Sequence, residues 1–120
     1  MKVIVFDDVL VRRAREYEVP MLELSFFAHA DDAVEIVGRE QPDVVLMDYA
    51  MDARASGEDA IRALRAAFPR GRGAKIVAIS SDERSNERML AAGADDAVPK
   101  SHVKGYLSRL SKLDGKGGRR

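Results

Sequence analysis

Short apolar runs, many of them β-branched, recur at Val3–Phe6, Leu22–Ala28, Val44–Met47, Lys75–Ile79 and Ala97–Val98. Their length and their polar boundaries predict five buried strands. Between them, apolar positions return at helical spacing over about Val9–Tyr17, Asp32–Arg39, Gly57–Phe68 and Asp82–Ala92. A fifth helix is predicted after Ser101 as N-cap, because Val103, Tyr106, Leu107, Leu110 and Leu113 fall on one face. Phe26 and Phe27, adjacent in the second run, suit a strand covered on both sides. Pro20, Pro42 and Pro69 punctuate helix-to-strand connections.

The order is therefore a strand followed by a helix, five times over. Parallel neighbours need a crossover, and the crossover packs back on the sheet. The pattern predicts an α/β fold: a doubly wound, five-stranded parallel sheet with helices on both faces. At 120 residues one core is expected. The domain is placed at residues 1–113, and residues 114–120, rich in glycine and charge, are expected to be a disordered basic tail.

Charge narrows the partners. Twenty basic and twenty acidic residues balance to zero, so no overall field recommends nucleic acid or a membrane surface. The balance hides an asymmetry: from Ser101 onward Lys104, Arg109, Lys112, Lys116, Arg119 and Arg120 oppose Asp114 alone. The absence of cysteine excludes a disulfide framework and thiolate metal sites. The amino terminus has only the run Val3–Phe6 before two aspartates, too short for a signal peptide or a spanning helix. A cytoplasmic protein is expected.

In an open parallel sheet, ligands bind outside the carboxyl ends of the strands. Asp7 and Asp8 follow the first strand, Asp48 the third, Ser80 the fourth, and Lys100 the fifth after Pro99. Taken singly, such an aspartate or serine more often caps the next helix, and such a lysine more often points into water. Together they are three carboxylates, a hydroxyl and an ammonium at one edge. Clustered carboxylates repel unless a cation holds them. Oxygen ligands without histidine or cysteine select a hard ion, and Mg²⁺ suits a site that also touches phosphate. A carboxylate can attack phosphorus to give an acyl phosphate where metal and ammonium neutralise the transferring oxygens. Asp48, Mg²⁺ and Lys100 would supply those parts. His29 and His102 have no second ligand at a metal-like spacing and read as surface or cap residues. The Arg70–Gly73 segment lacks a phosphate-loop pattern and reads as an exposed turn.

From MKVIVFDD through PDVVLMD and IVAISSD to AAGADDAVPK, the chain resembles the receiver domain of bacterial two-component response regulators. The resemblance implies a flavodoxin-like sheet in the order 2-1-3-4-5. It makes Asp48 the phosphoacceptor and Asp8 a direct Mg²⁺ ligand, with Asp7 acting on the metal largely through water and Ala50 offering its backbone carbonyl. Ser80 stands where the family hydrogen-bonds the phosphoryl group, and Lys100 where it has its lysine. Asp82 and Ala50 occupy positions that tune phosphate lifetime. The chain departs from the family in a shorter stretch between Asp8 and Asp48, consistent with a first helix clipped near Pro20. It also departs in the loop YAMDARASGED, in a shorter stretch from Ser80 to Gly93, and in Ser101, where proline is usual. Three residues before Lys100, where many receivers carry Tyr, Phe or His, this chain has Ala97.

The function so implied is a phosphorylation-dependent switch. It would take a phosphoryl group from a histidine kinase or phosphotransfer protein, signal to a downstream protein target, and catalyse only its own phosphorylation and dephosphorylation. Two alternatives stand beside it: a relay intermediate that passes phosphate onward, and a non-phosphorylated adaptor that keeps the fold for protein binding.

Overall fold

The computed structural model describes residues 1–51, 53–71 and 73–117. Five strands form one parallel sheet: β1 (Lys2–Phe6), β2 (Glu23–Phe27), β3 (Val44–Met47), β4 (Lys75–Ser80) and β5 (Asp96–Pro99), in the order β2-β1-β3-β4-β5. Four α-helices connect or follow them: α1 (Ala33–Glu40), α2 (Gly57–Ala67), α3 (Glu83–Ala92) and α4 (Val103–Gly117). The predicted fold class and strand order are those observed.

The central runs are apolar at every position because both faces of the sheet are covered. Ile4, Phe6, Val45, Met47 and Ala78 pack under α1, α2 and α3 against Val37, Ile61, Leu64 and Met89. Their neighbours Val3, Val5, Leu46, Val77 and Ile79 pack on the other face against Leu10, Tyr17, Val103, Leu107 and Leu110. Burying each such side chain contributes about 1.5–3 kcal/mol. The alternation of faces along β1, β3 and β4 fixes the register, since a slip of one residue would exchange the two layers.

Several expectations need correction. The first helical segment is a 3-10 helix, Leu10–Tyr17, with a break at Arg13 (φ −119°, ψ 24°). Only Leu10 and Tyr17 of its residues are buried, so little packing enforces an α-helical face, and the chain must be extended by Glu18 before Pro20. β2 is an edge strand, and Phe26 and Phe27 are only partly buried, not covered on both sides. Phe27 stacks on Phe6 at 5.6 Å between centroids, and Phe26 tilts against Tyr17 at 6.4 Å. Ser101 does not cap the last helix. Lys100–His102 form a 3-10 turn leading into α4, and the Lys100 carbonyl already accepts the Val103 N–H. α4 continues to Gly117, past the residue where the tail was placed, and residues 118–120 of that tail lie outside the described residues. Among the described residues no helix is long and apolar enough to cross a membrane.

Candidate functional site

The register brings the sheet's carboxyl edge to one level. Phe6 pairs with Met47 and Met47 with Ala78, so Asp7 and Asp48 emerge side by side and Ser80 stands two residues beyond Ala78. Backbone bonds hold both aspartates at the strand ends: Asp7 N–H donates to the Phe27 carbonyl at 2.9 Å, and Asp48 N–H to the Phe6 carbonyl at 3.0 Å.

Asp7 is wholly buried. Its Oδ1 accepts the N–H groups of Val9 and Leu10 at 2.8 and 2.9 Å, so it organises the turn into the 3-10 helix. Its Oδ2 receives no well-directed hydrogen bond and meets the Lys100 ammonium as a charge pair at 2.8 Å. Asp48 Oδ1 accepts the Tyr49 N–H at 2.9 Å, while Oδ2 lies 3.1 Å from Lys100 Nζ. Lys100 therefore turns inward and bridges two carboxylates instead of pointing into water.

Three carboxylates converge here. Oxygens of Asp7, Asp8 and Asp48 lie within 4.8 Å of one another. Burial, then the neighbouring Asp7 charge, pushes the Asp48 carboxyl above its ordinary range, and Lys100 offsets this only in part. Burial pulls the Lys100 ammonium down, but its pairing with Asp7 and Asp48 outweighs that and leaves its pKa raised. Lys100 is shared by two of these carboxylates, Asp7 and Asp48, in a partly desolvated pocket. The all-oxygen donor set and the buried Asp7 Oδ2 fit a hard divalent cation.

The sequence of the chain matches the model of the response regulator receiver domain over residues 3–110. The chain belongs to that family. Among solved structures, this receiver domain is similar to that of the sensor histidine kinase PA1611 from Pseudomonas aeruginosa PAO1, at 24% identity and TM-score 0.72, over 92% of this chain and 93% of the other. That structure is described as having a magnesium ion coordinated in the active site cleft. It is also similar to the response regulator domain of Thermotoga maritima CheB (23% identity, TM-score 0.68, 99% and 93% covered). A third likeness is the receiver domain of the Francisella response regulator 1452 (18% identity, TM-score 0.73, 98% of each chain). No curated protein sequence matches this receiver.

Of the residues singled out in the sequence, Asp7, Asp8, Asp48 and Lys100 are brought together by the contacts above. Ser80 stands at the same edge, buried, with its hydroxyl accepting the Asp82 N–H at 3.0 Å. Ala50 is exposed in the loop two residues after Asp48. His29 and His102 are exposed, as expected. Asn86 was missed. Its side chain brackets Ser80, accepting from the Ser80 N–H at 2.9 Å and donating to the Ser80 carbonyl at 3.1 Å. No motif marks it, because the contact depends on how the loop after β4 folds back. Gly57 was noted only as a helix start, yet it is buried directly against the Asp48 carbonyl.

Proposed function

We propose that this receiver is a phosphorylation switch whose Asp48 accepts a phosphoryl group from a histidine kinase or a histidine phosphotransfer protein. The observation that carries the reading is the placement of Lys100 Nζ, 2.8 Å from Asp7 and 3.1 Å from Asp48, beside a three-carboxylate cluster. In the transfer, a carboxylate oxygen of Asp48 forms a bond to phosphorus as the phosphorus–nitrogen bond of the donor phosphohistidine breaks. The electron pair leaves with the imidazole, which takes a proton. Lys100 then pairs with the transferred phosphoryl oxygens, and Ser80 donates its hydroxyl to them. Hydrolysis reverses the state: water attacks phosphorus, and the acyl phosphate releases inorganic phosphate and the Asp48 carboxylate.

Asp8, Asp48 and the Ala50 carbonyl would hold Mg²⁺, with Asp7 assisting through water. When bound, the ion supplies neutralisation of charge on the phosphoryl oxygens. The chemistry is confined to the protein's own aspartate, so no external substrate is turned over. The balanced charge of the chain fits protein partners better than nucleic acid or membrane.

Incubation with acetyl phosphate and Mg²⁺, followed by intact mass measurement, is expected to show one added phosphoryl group that Asp48→Asn loses. Equal labelling of the variant refutes Asp48 as acceptor. Failure of the unaltered protein to take any label favours the non-phosphorylated adaptor.

A further inference from the structure

Ser80 extends beyond β3 on one side of β4 and pairs with the last residue of β5 on the other. β3 pairs with β4 only as far as Ala78, and on the other side Ser80 faces Pro99, which has no N–H to give. Both Ser80 peptide groups are in addition bonded by one side chain. Asn86 Oδ1 accepts the Ser80 N–H and Asn86 Nδ2 donates to the Ser80 carbonyl. Asn86 is 8% exposed and Ser80 6%, so water competes poorly for these bonds. The loop between them closes on itself, with Asp82 N–H donating to Ser80 Oγ at 3.0 Å and Ser85 Oγ donating to Asp82 Oδ2 at 2.8 Å.

We propose that Asn86 is a positioning residue for phosphoryl transfer: its amide locks the Ser80 backbone, and thereby presents the Ser80 hydroxyl at the edge where Asp48 reacts. The inference rests on the reading of Asp48 as phosphoacceptor. The residue type follows from the task, since a primary amide offers a donor and an acceptor on one short planar group. An aspartate at this position keeps the acceptor for the Ser80 N–H but turns an oxygen toward the Ser80 carbonyl. Alanine removes both side-chain bonds.

The test compares acetyl phosphate labelling rates, at saturating Mg²⁺, for the unaltered chain, Asn86→Ala, Asn86→Asp, Ser80→Ala and the Asn86→Ala/Ser80→Ala double variant. Asn86→Ala is expected to label roughly tenfold more slowly with unchanged Mg²⁺ affinity, and Asn86→Asp to fall between it and the unaltered chain. Because Asn86 acts through Ser80, the double variant is expected to label at the rate of Ser80→Ala alone. Hydrogen exchange at the Ser80 amide is expected to rise at least about tenfold in Asn86→Ala relative to the Val77 and Ile79 amides. Labelling of Asn86→Ala at the unaltered rate, or a double-variant rate reduced by the product of the two single effects, overturns the positioning role. So does an unchanged Ser80 exchange rate. If Asn86→Ala does not fold, Asn86→Asp labelling at the full rate overturns it in the same way. Absence of label on the unaltered chain overturns the phosphoacceptor reading instead, while the exchange measurement still reports on the latch.

Discussion

Gly57 lies so close behind Asp48 that a Cβ built on it would fall 2.0 Å from the Asp48 carbonyl oxygen and 2.9 Å from Met89 Sδ. Its N–H donates to the Tyr49 carbonyl at 2.7 Å, so the first residue of α2 is pinned to the loop that leaves β3. The contact is with backbone, which cannot swing away as a side-chain end would.

Gly57→Ala is accordingly expected to destabilise the receiver by about 2–4 kcal/mol, through displacement of α2 or of the Asp48 peptide. Urea denaturation measures it. The same variant is expected to lose phosphorylation at Asp48 even at low temperature, where it remains folded. A Gly57→Ala protein as stable and as readily labelled as the parent contradicts the close approach.

Asp48→Asn is expected to stabilise the metal-free protein by about 1–2 kcal/mol at pH 7, because it removes a carboxylate held against Asp7 in a buried setting. The pH dependence follows from the sign of the shift. Asp48 holds its proton more tightly folded than unfolded, so between the unfolded carboxylate range and its raised folded value, rising pH favours the unfolded chain. Below that window the group is protonated in both states and contributes nothing. The stability difference between variant and parent is therefore expected to grow as pH rises from about 4 and then level off. A difference that is constant with pH, or a destabilised variant, counts against the repulsion.

Lys100→Met removes the ammonium that Asp7 and Asp48 share. Lys100 has a raised pKa, so its stabilisation is fully present below the unfolded lysine value and is lost only as pH rises through the folded one. At pH 7 the variant is expected to lose about 1–3 kcal/mol without added metal, as buried carboxylates are left uncompensated. Millimolar Mg²⁺ is expected to restore part of that stability by binding the folded state. Thermal melts with Mg²⁺ and with a chelator decide between this and a solvent-directed lysine, whose removal would change little.

The legible parts of this molecule are those set by burial. Val44–Met47 and Ile76–Ile79 had to be strands covered on both faces, and with parallel crossovers that sent Asp7, Asp48 and Lys100 to one edge. Where burial is thin, pattern misleads. Leu10–Tyr17 carries only two buried residues and takes the 3-10 form, and Phe26 and Phe27 look like core residues yet sit on an edge strand. Contacts set by the way a loop folds back leave no period at all. Asn86 reaching back to Ser80, and Gly57 pressed against the Asp48 carbonyl, emerge only once the chain is folded.

Ala97 bears on how a phosphorylated state would be signalled. It pairs with Ala78 in the sheet and borders a cleft of about 480 Å³ shared with Ser80, Asn86 and Leu90. A methyl group has no rotamer with which to report movement of Ser80, whereas an aromatic ring at this place could turn into that cleft. Displacement of Ser80 must instead be conveyed by its own loop, and the bonds from Asn86 to Ser80 and from Asp82 to Ser80 make that loop move as a unit. Phosphorylation, or a stable acyl phosphate mimic, is therefore expected to shift amide signals most over Ser80–Asn86, with little change around Ala97. Ala97→Tyr is expected to leave the labelling rate within about twofold of the parent, because the cleft open to the ring is not lined by Asp48 or Lys100. Amide shifts and hydrogen exchange with and without the mimic provide the measurement. A dominant response around Ala97 with a quiet Ser80–Asn86 loop would place the moving element in β5, and the loop would then be a fixed support for Ser80 instead of the part that signals.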